Sequence, residues 1–354
     1  MKKTQNTKSI KRKYPLTLDG KPAKNWRSLK RFDGFDFAGV SFKGIDLMEK
    51  DFTNAKNLTW EQIRQSDGYT FTKMPAGMDF SGVSLAGGYM HGVDFSNVRN
   101  LTWRQIMEAD EIFGVILPVG MDFSGISLKD AYIDGVDFSK AKNLTWRQIE
   151  EAKIFEYIKL PDGMDLSGVS FKGKSIRGID FSKAKNLTWR QIEEAKIFEY
   201  IKLPAGMDFS GVSLKGKNIR DIDFSEAKNL TERQLFEAEK LEYIKLSDGM
   251  DLSEVSFKGR SVRGVDFSRA KNLTWLQIEE AEDFDRVKLS DGMDFSGVSL
   301  KGKSIKGIDF SKVKNLTARH IFEADCLDYV ILPADIIPGV SLEGNTITIY
   351  KEKA

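Results

Sequence analysis

MDFSGVSLKGKNIRDIDFSE, residues 207–226, sets large apolar side chains at Phe209, Leu214, Ile219 and Phe224, a spacing of five kept without a break. Neither the 3.6-residue period of a helix nor the two-residue period of a strand produces that register. The same slots hold Phe37, Phe42, Leu47 and Phe52 near the start of the chain, and Phe295, Leu300, Ile305 and Phe310 near its end. Around these runs Asn-Leu-Thr begins at Asn57, Asn100, Asn143, Asn186, Asn229, Asn272 and Asn315, a constant period of 43. AKNLTWRQIEEAKIFEYIKLP stands at 141–161 and again, unchanged, at 184–204. Periods of 20–50 residues signal a solenoid, in which each unit buries its apolar face against its neighbours.

The fivefold slots resemble those of the pentapeptide-repeat family, whose pattern A(D/N)LXX points its central Leu or Phe, and the residue two before it, inward. The resemblance implies a right-handed quadrilateral β-helix in which four pentapeptides close one 20-residue coil. Met207, Val212 and Ile222 stand where the family prefers Ala, which implies a wider or flatter coil. The other 23 residues of each repeat carry helix signals of their own. Thr145 with Gln148 forms a capping box, flanked by Leu144 and Ile149 as a hydrophobic staple. Trp146, Ile149, Ala152 and Phe155 then follow at helical spacing, which predicts a helix of about ten residues laid on its neighbours. Pro161 and Gly163 end it. The fold class expected is therefore a β-solenoid with α insertions: about seven coils, one 20-residue coil plus one short helix per 43-residue repeat.

Composition narrows what such an array does. The 354 residues hold 54 Lys and Arg against 52 Asp and Glu, with two His and one Cys. One thiol, Cys326, cannot form an intramolecular disulfide, and the spacings of zinc sites are absent. Residues 1–32 hold 11 of the basic groups and one acid, Asp19, leaving 43 basic and 51 acidic groups on the remaining 322. The division expected is a basic flexible segment at 1–34, tandem repeats at 35–335 and a cap at 336–354. The lead MKKTQNTKSIKRKYPLT lacks the apolar run of a cleaved secretory signal, and no stretch is apolar and long enough to span a bilayer.

Several motifs invite a chemical reading. GVSFKGKS at 168–175 and GVSLKGKS at 297–304 match a phosphate-loop pattern. Their glycines nevertheless keep the pentapeptide spacing, and no helix N-terminus follows to face a phosphate. His91 and His320 belong to different ends of the array; His320 replaces the capping Gln. Cys326 reads as a small helix residue. Trp60, Trp103, Trp146, Trp189 and Trp275 share one slot and read as a ladder between stacked helices, ahead of a platform for nucleotide bases. No catalytic, cofactor-binding or metal-binding constellation is expected.

Charge patterning carries the functional expectation. Asp at 79, 122, 165, 208, 251 and 294, and at 94, 137, 180, 223, 266 and 309, should stack into two acidic columns. Basic residues gather in the later repeats at Lys172, Lys174, Arg177, Lys215, Lys217, Arg220, Lys258, Arg260, Arg263, Lys301, Lys303 and Lys306, a candidate binding stripe. These features suit a non-enzymatic interaction scaffold that takes a protein partner, with anionic lipid or nucleic acid as alternatives for the basic stripe. The N-terminal lead is similar to uncleaved type III secretion signals, which implies a bacterial effector secreted without a Sec signal into a host cell. A cytoplasmic bacterial scaffold or a topoisomerase modulator is the alternative.

Overall fold

The computed structural model describes residues 11–333 and 336, which fall into two compact units. The first runs to Leu166 and takes in Lys183–Lys185; the second holds Ser167–Ser182 and continues from Asn186. Within the first, Arg31 pairs in parallel with Asp51, Asp51 with Lys73, Lys73 with Asp94, Asp94 with Ile116, Ile116 with Asp137 and Asp137 with Lys159. The second does the same from Asp223 through Lys245, Asp266 and Lys288 to Asp309. The chain thus returns to one side after every 20–22 residues, as in a parallel β-solenoid.

This spacing corrects the expected coil count. Each 43-residue repeat winds two coils, where one coil with a helical excursion was expected, so seven repeats give about twice seven coils. The 23 residues around each helix complete a circuit themselves: in the second repeat Leu101, Ile106, Ile112 and Leu117 bury one apolar residue on each of four sides. They answer Phe80, Leu85, Met90 and Phe95 of the plain coil, which define the first to fourth sides. The helical coil hides in the sequence because the step from Ile106, the last residue of α2, to Ile112 is six and shifts the register of five by one.

The helices are α1 Trp60–Ile63, α2 Trp103–Ile106 and α3 Trp146–Glu150 in the first unit, and α4 Trp189–Glu193, α5 Glu232–Phe236, α6 Trp275–Glu279 and α7 Ala318–Phe322 in the second. Each has four or five residues instead of ten, since it fills one side of a coil and must rejoin the next. Ala152 and Phe155 are buried beyond the end of α3, on the way to and along the third side. The two strands, β1 Tyr89–His91 and β2 Glu111–Phe113, pair in parallel on that side.

The capping box forms at all seven helices, and its Gln does a second task. At α2, Gln105 Oε1 accepts from the Thr102 backbone N–H at 2.9 Å, while Nε2 donates to the carbonyls of Phe80 and Val83 in the preceding coil, both at 2.7 Å. Gln62, Gln148, Gln234 and Gln277 repeat the stitch. At α7, His320 Nδ1 accepts from Thr317 N–H at 3.0 Å, the cap role its position implied.

The tryptophans point inward. Trp103 lies 5.4 Å from Phe123 and Trp275 5.1 Å from Phe295 (ring centroids), so the slot feeds the solenoid core instead of a seam between helices. Where Glu232 occupies the slot, Phe236 one turn later is buried and meets Phe257 at 5.2 Å.

Residues 11–34 also depart from expectation, because they fold. Leu16 exchanges backbone hydrogen bonds with Asp36, Arg12 pairs with the Asp36 carboxylate at 3.0 Å, and Trp26 packs on Phe32, Phe37 and Phe42. A solenoid end exposes apolar rings, and Trp26, 1% exposed, covers them. Residues 1–10 and all of the expected cap except Ile336 lie outside the described residues.

Replacing Gln105 by Ala removes a cap and leaves the Val83 carbonyl without its donor, while the Phe80 carbonyl keeps the Val83 N–H, at about 1–3 kcal/mol per buried unsatisfied group. Urea unfolding should show a loss of about 2–4 kcal/mol. Gln105→Glu, which keeps the cap acceptor but lacks the donors, should still be destabilised.

Candidate binding surface

Two coils per repeat rearrange every charged column. On the fourth side Asp from the plain coil alternates with Lys from the helical coil, with Ile116 and Ile331 as the two exceptions: Lys159 Nζ lies 2.9 Å from Asp137, and in the second unit Lys202 lies 3.1 Å from Asp180 and Lys288 3.2 Å from Asp266. The first side alternates likewise, Asp79 opposite Arg99 and Asp122 opposite Lys142, then Asp208 opposite Lys228 in the second unit. The two expected acidic columns are therefore alternating ladders. Like charges one coil apart, about 4.8 Å, repel, and the intervening coil supplies the counter-charge.

Each first-side Asp is also held by hydrogen bonds. Asp79 Oδ1 accepts from the Ser81 backbone N–H at 2.9 Å, the Ser81 hydroxyl at 2.7 Å and Asn100 Nδ2, in the next coil, at 2.8 Å. These donors lower its pKa to about 2. Asn143, Asn229, Asn272 and Asn315 make the same bond to Asp122, Asp208, Asp251 and Asp294. All seven asparagines have φ between 55° and 59°, a left-handed conformation that Asn tolerates best after Gly. One residue type thus turns the corner and ties two coils, which accounts for the period of Asn-Leu-Thr. On the fourth side burial pushes the Asp137 pKa up, yet hydrogen bonds from Ser139 and Lys159 outweigh it and hold the group below its usual range.

The twelve candidate stripe residues separate into three sets. Lys217 and Lys303 place Nζ 3.4 Å from the carbonyls of Glu193 and Glu279, the last residues of α4 and α6, and Arg260 donates to the Ala238 carbonyl beyond α5 at 2.9 Å. Cations there satisfy orphan carbonyls at a helix end; Lys174 shares the slot and is half-buried. Arg177, Arg220, Arg263 and Lys306 belong to the third side, where acids of the helical coils answer them. Arg220 pairs with Glu242, Arg263 with Asp283 at 3.3 Å and Lys306 with Asp328 at 3.7 Å. Arg177 and Arg220 also lie over the rings of Tyr200 and Tyr243, at 5.2 and 5.9 Å. Lys172, Lys215, Lys258 and Lys301 remain as an exposed column on the second side, with no side-chain ion pair among the described residues.

The other motifs resolve locally. Gly168 and Gly173 take φ of 70° and 72° at coil corners, and Ser175 pairs with Ile197, so the phosphate-loop pattern is two pentapeptide turns. Cys326 lies beyond α7, opposite Ser304 on the third side. His91 Nε2 meets Glu111 at 2.7 Å. The sequence reading passed over the third side of the first unit, where Tyr89, Phe113 and Tyr132 face solvent. Their departure from Ser175, Asn218, Ser261 and Ser304, and from Glu199, Glu242, Asp285 and Asp328, at the equivalent positions of later repeats is the signal that marks them.

No protein-family model matches the chain, and no curated protein matches it. A solved structure does: HetL, a pentapeptide repeat protein involved in heterocyst differentiation regulation from the cyanobacterium Nostoc sp. Strain PCC 7120, at 16% identity over 86% of this chain and 90% of HetL, with a TM-score of 0.15. The chain is similar to a pentapeptide-repeat protein over most of its length. The fivefold slots and the parallel pairing described above define the coils.

The ladders set the acid limit of the fold. Eleven repeat aspartates, at 36, 51, 79, 122, 137, 180, 208, 223, 251, 266 and 294, have folded pKa values below the ordinary 3.8. A depressed carboxylate pKa contributes stability that is complete above the unfolded value and lost as pH falls through the folded one. Asp134 and Asp221, raised by burial, act in the opposite sense but are only two. The urea midpoint should therefore hold from neutral pH down to about 4 and fall between about 4 and about 2.

Proposed function

We propose that the chain is a non-enzymatic interaction scaffold whose second unit docks an acidic protein surface along Lys172, Lys215, Lys258 and Lys301. The observation that carries this reading is the internal neutralisation of the remaining stripe. The other eight cations are all half-buried in ladders or at helix ends, whereas these four stand exposed at intervals of 43 residues, two coils or about 10 Å apart. An ammonium head on a stem laid over the coil surface is a solvated point charge ready for a carboxylate. Anionic lipid and nucleic acid are the competing anionic partners. The right-handed, four-sided winding that the family resemblance implies is consistent with four slots per coil.

A secreted bacterial effector remains the biological setting we favour, now resting on a shorter lead, because residues 11–34 belong to the fold. Deleting residues 2–10 is accordingly the export test that leaves the described structure untouched. A DNA-like, topoisomerase-directed surface is the weaker alternative, since acidic columns interrupted by Lys do not imitate a phosphate backbone.

Charge reversal at Lys215 and Lys258 tests the docking reading. Binding of the full chain to poly-glutamate should weaken at least tenfold and lose most of its salt dependence. Unchanged binding, or a preference for anionic vesicles or single-stranded DNA over the acidic polypeptide, would sink it.

A further inference from the structure

The third side is built differently in the two units. In the second, the outward column reads Arg220, Glu242, Arg263, Asp285, Lys306, Asp328, so that cation and acid alternate coil by coil. Tyrosines at the adjoining corner complete it: Arg220 lies over the Tyr243 ring at 5.9 Å, and Arg263 Nε donates to the Tyr243 hydroxyl at 3.0 Å. A guanidinium seated on a tyrosine beside a carboxylate is the arrangement with which this side closes itself.

In the first unit the equivalent cation slots hold Met48, His91 and Asp134. No arginine is supplied, and aromatic rings come to the surface instead: Phe71, Tyr89, Phe113 and Tyr132 are 56%, 55%, 47% and 49% exposed. They lie on successive coils, joined by the backbone bonds Phe71 N–H to His91 O, Gly92 N–H to Phe113 O and Gly114 N–H to Asp134 O. Phe71 lies across Gly92, where a Cβ would come within 2.2 Å of its ring; His91 meets Phe113 edge-on at 6.1 Å; and β1 and β2 set Tyr89 against Glu111. The rim is acidic, with Asp46, Asp110 and Asp130 exposed and Asp134 half-buried, and none of the four makes an ion pair among the described residues. Lys153 shows how the surface receives a cation, with Nζ 4.8 Å over the Tyr132 ring. Four exposed aromatic residues on one side of a solenoid form a patch that a monomer without a partner rarely displays.

We propose that this side of the first unit docks an arginine-bearing segment of a partner protein, whose guanidinium groups stack on Tyr89 and Tyr132 and pair with Asp134 and the acidic rim. The partner supplies from outside the cation that the second unit carries in its own chain. Charge complementarity calls for a cation, and the internal Arg-on-Tyr contacts favour a planar one over an ammonium such as that of Lys153, since guanidinium stacks on an aromatic face while keeping its in-plane donors for a carboxylate. The surface is distinct from the exposed lysine column and takes a partner of opposite charge.

The test is a calorimetric titration of the full chain with three blocked hexapeptides: alternating Arg and Ser, the same with Lys for Arg, and the same with Glu for Arg. The arginine peptide should bind at least about tenfold more tightly than the lysine peptide, and the glutamate peptide not at all. Tyr89→Ser with Tyr132→Ser, both at exposed positions, should weaken the arginine peptide by about tenfold or more. Asp134→Arg, which restores the second unit's pattern, should abolish binding while far-UV circular dichroism stays unchanged. Lys215→Glu should have no effect. Equal affinity for the arginine and lysine peptides, insensitivity to the tyrosine pair, or no binding at millimolar peptide would each overturn the proposal.

Discussion

Two aspartates stacked one coil apart, about 4.8 Å, repel by about 1–3 kcal/mol at effective dielectric constants between those of water and a protein surface. A strictly uniform solenoid would repeat that penalty along every side on which Asp begins a pentapeptide. This chain avoids it by making the repeat two coils long, so that no Asp of these columns faces another Asp in the next coil: the residue opposite is a Lys or Arg, except Ile116 opposite Asp94 and Ile331 opposite Asp309. An individual exposed pair of this kind contributes about 0–1 kcal/mol. The ladder matters because removing the intervening cations would leave uncompensated columns, and because the same two-coil rhythm sets which residues stay free at the surface.

The helices enforce the rhythm sterically. A coil that carries a four- or five-residue helix on its second side cannot pair there as a plain coil does, so the Gln side chain makes the join instead, its amide nitrogen reaching two carbonyls of the preceding coil. Asn at the first-side corner performs a parallel task with the Asp carboxylate. Plain and helical coils are therefore different parts, and alternation is built into the backbone as well as the charges.

Much of this was legible in the sequence. Fivefold slots identified the plain coils, and Thr145 with Gln148 marked the helix start. The helical coil was not legible as a coil, because a helix consumes more residues per unit length than a strand and displaces the apolar residues from the register of five. The misreading of the Asp columns followed from that one omission: Lys159 and Lys202 were visible, but nothing in a linear reading set them opposite Asp137 and Asp180. Trp26 was hidden for another reason, since a single residue that covers a solenoid end has no period to betray it. Once the ladders are recognised as neutral background, function is sought where they fail, at the exposed lysines of the second unit and the aromatic third side of the first.

Paired deletions test the two-coil repeat most directly. Removing residues 227–269 joins Glu226 to Ala270 and takes out one plain and one helical coil, which preserves the alternation. Removing residues 228–249 joins Ala227 to Met250, takes out a helical coil alone, and stacks the coil of Asp208 and Asp223 on that of Asp251 and Asp266. The larger deletion should keep a urea midpoint close to that of the full chain. The smaller one should be markedly less stable at low salt and recover part of the loss at about 1 M salt, where the screening length falls to about 3 Å. Equal stability of the two shortened chains, or a single-coil deletion that does not respond to salt, would contradict the account.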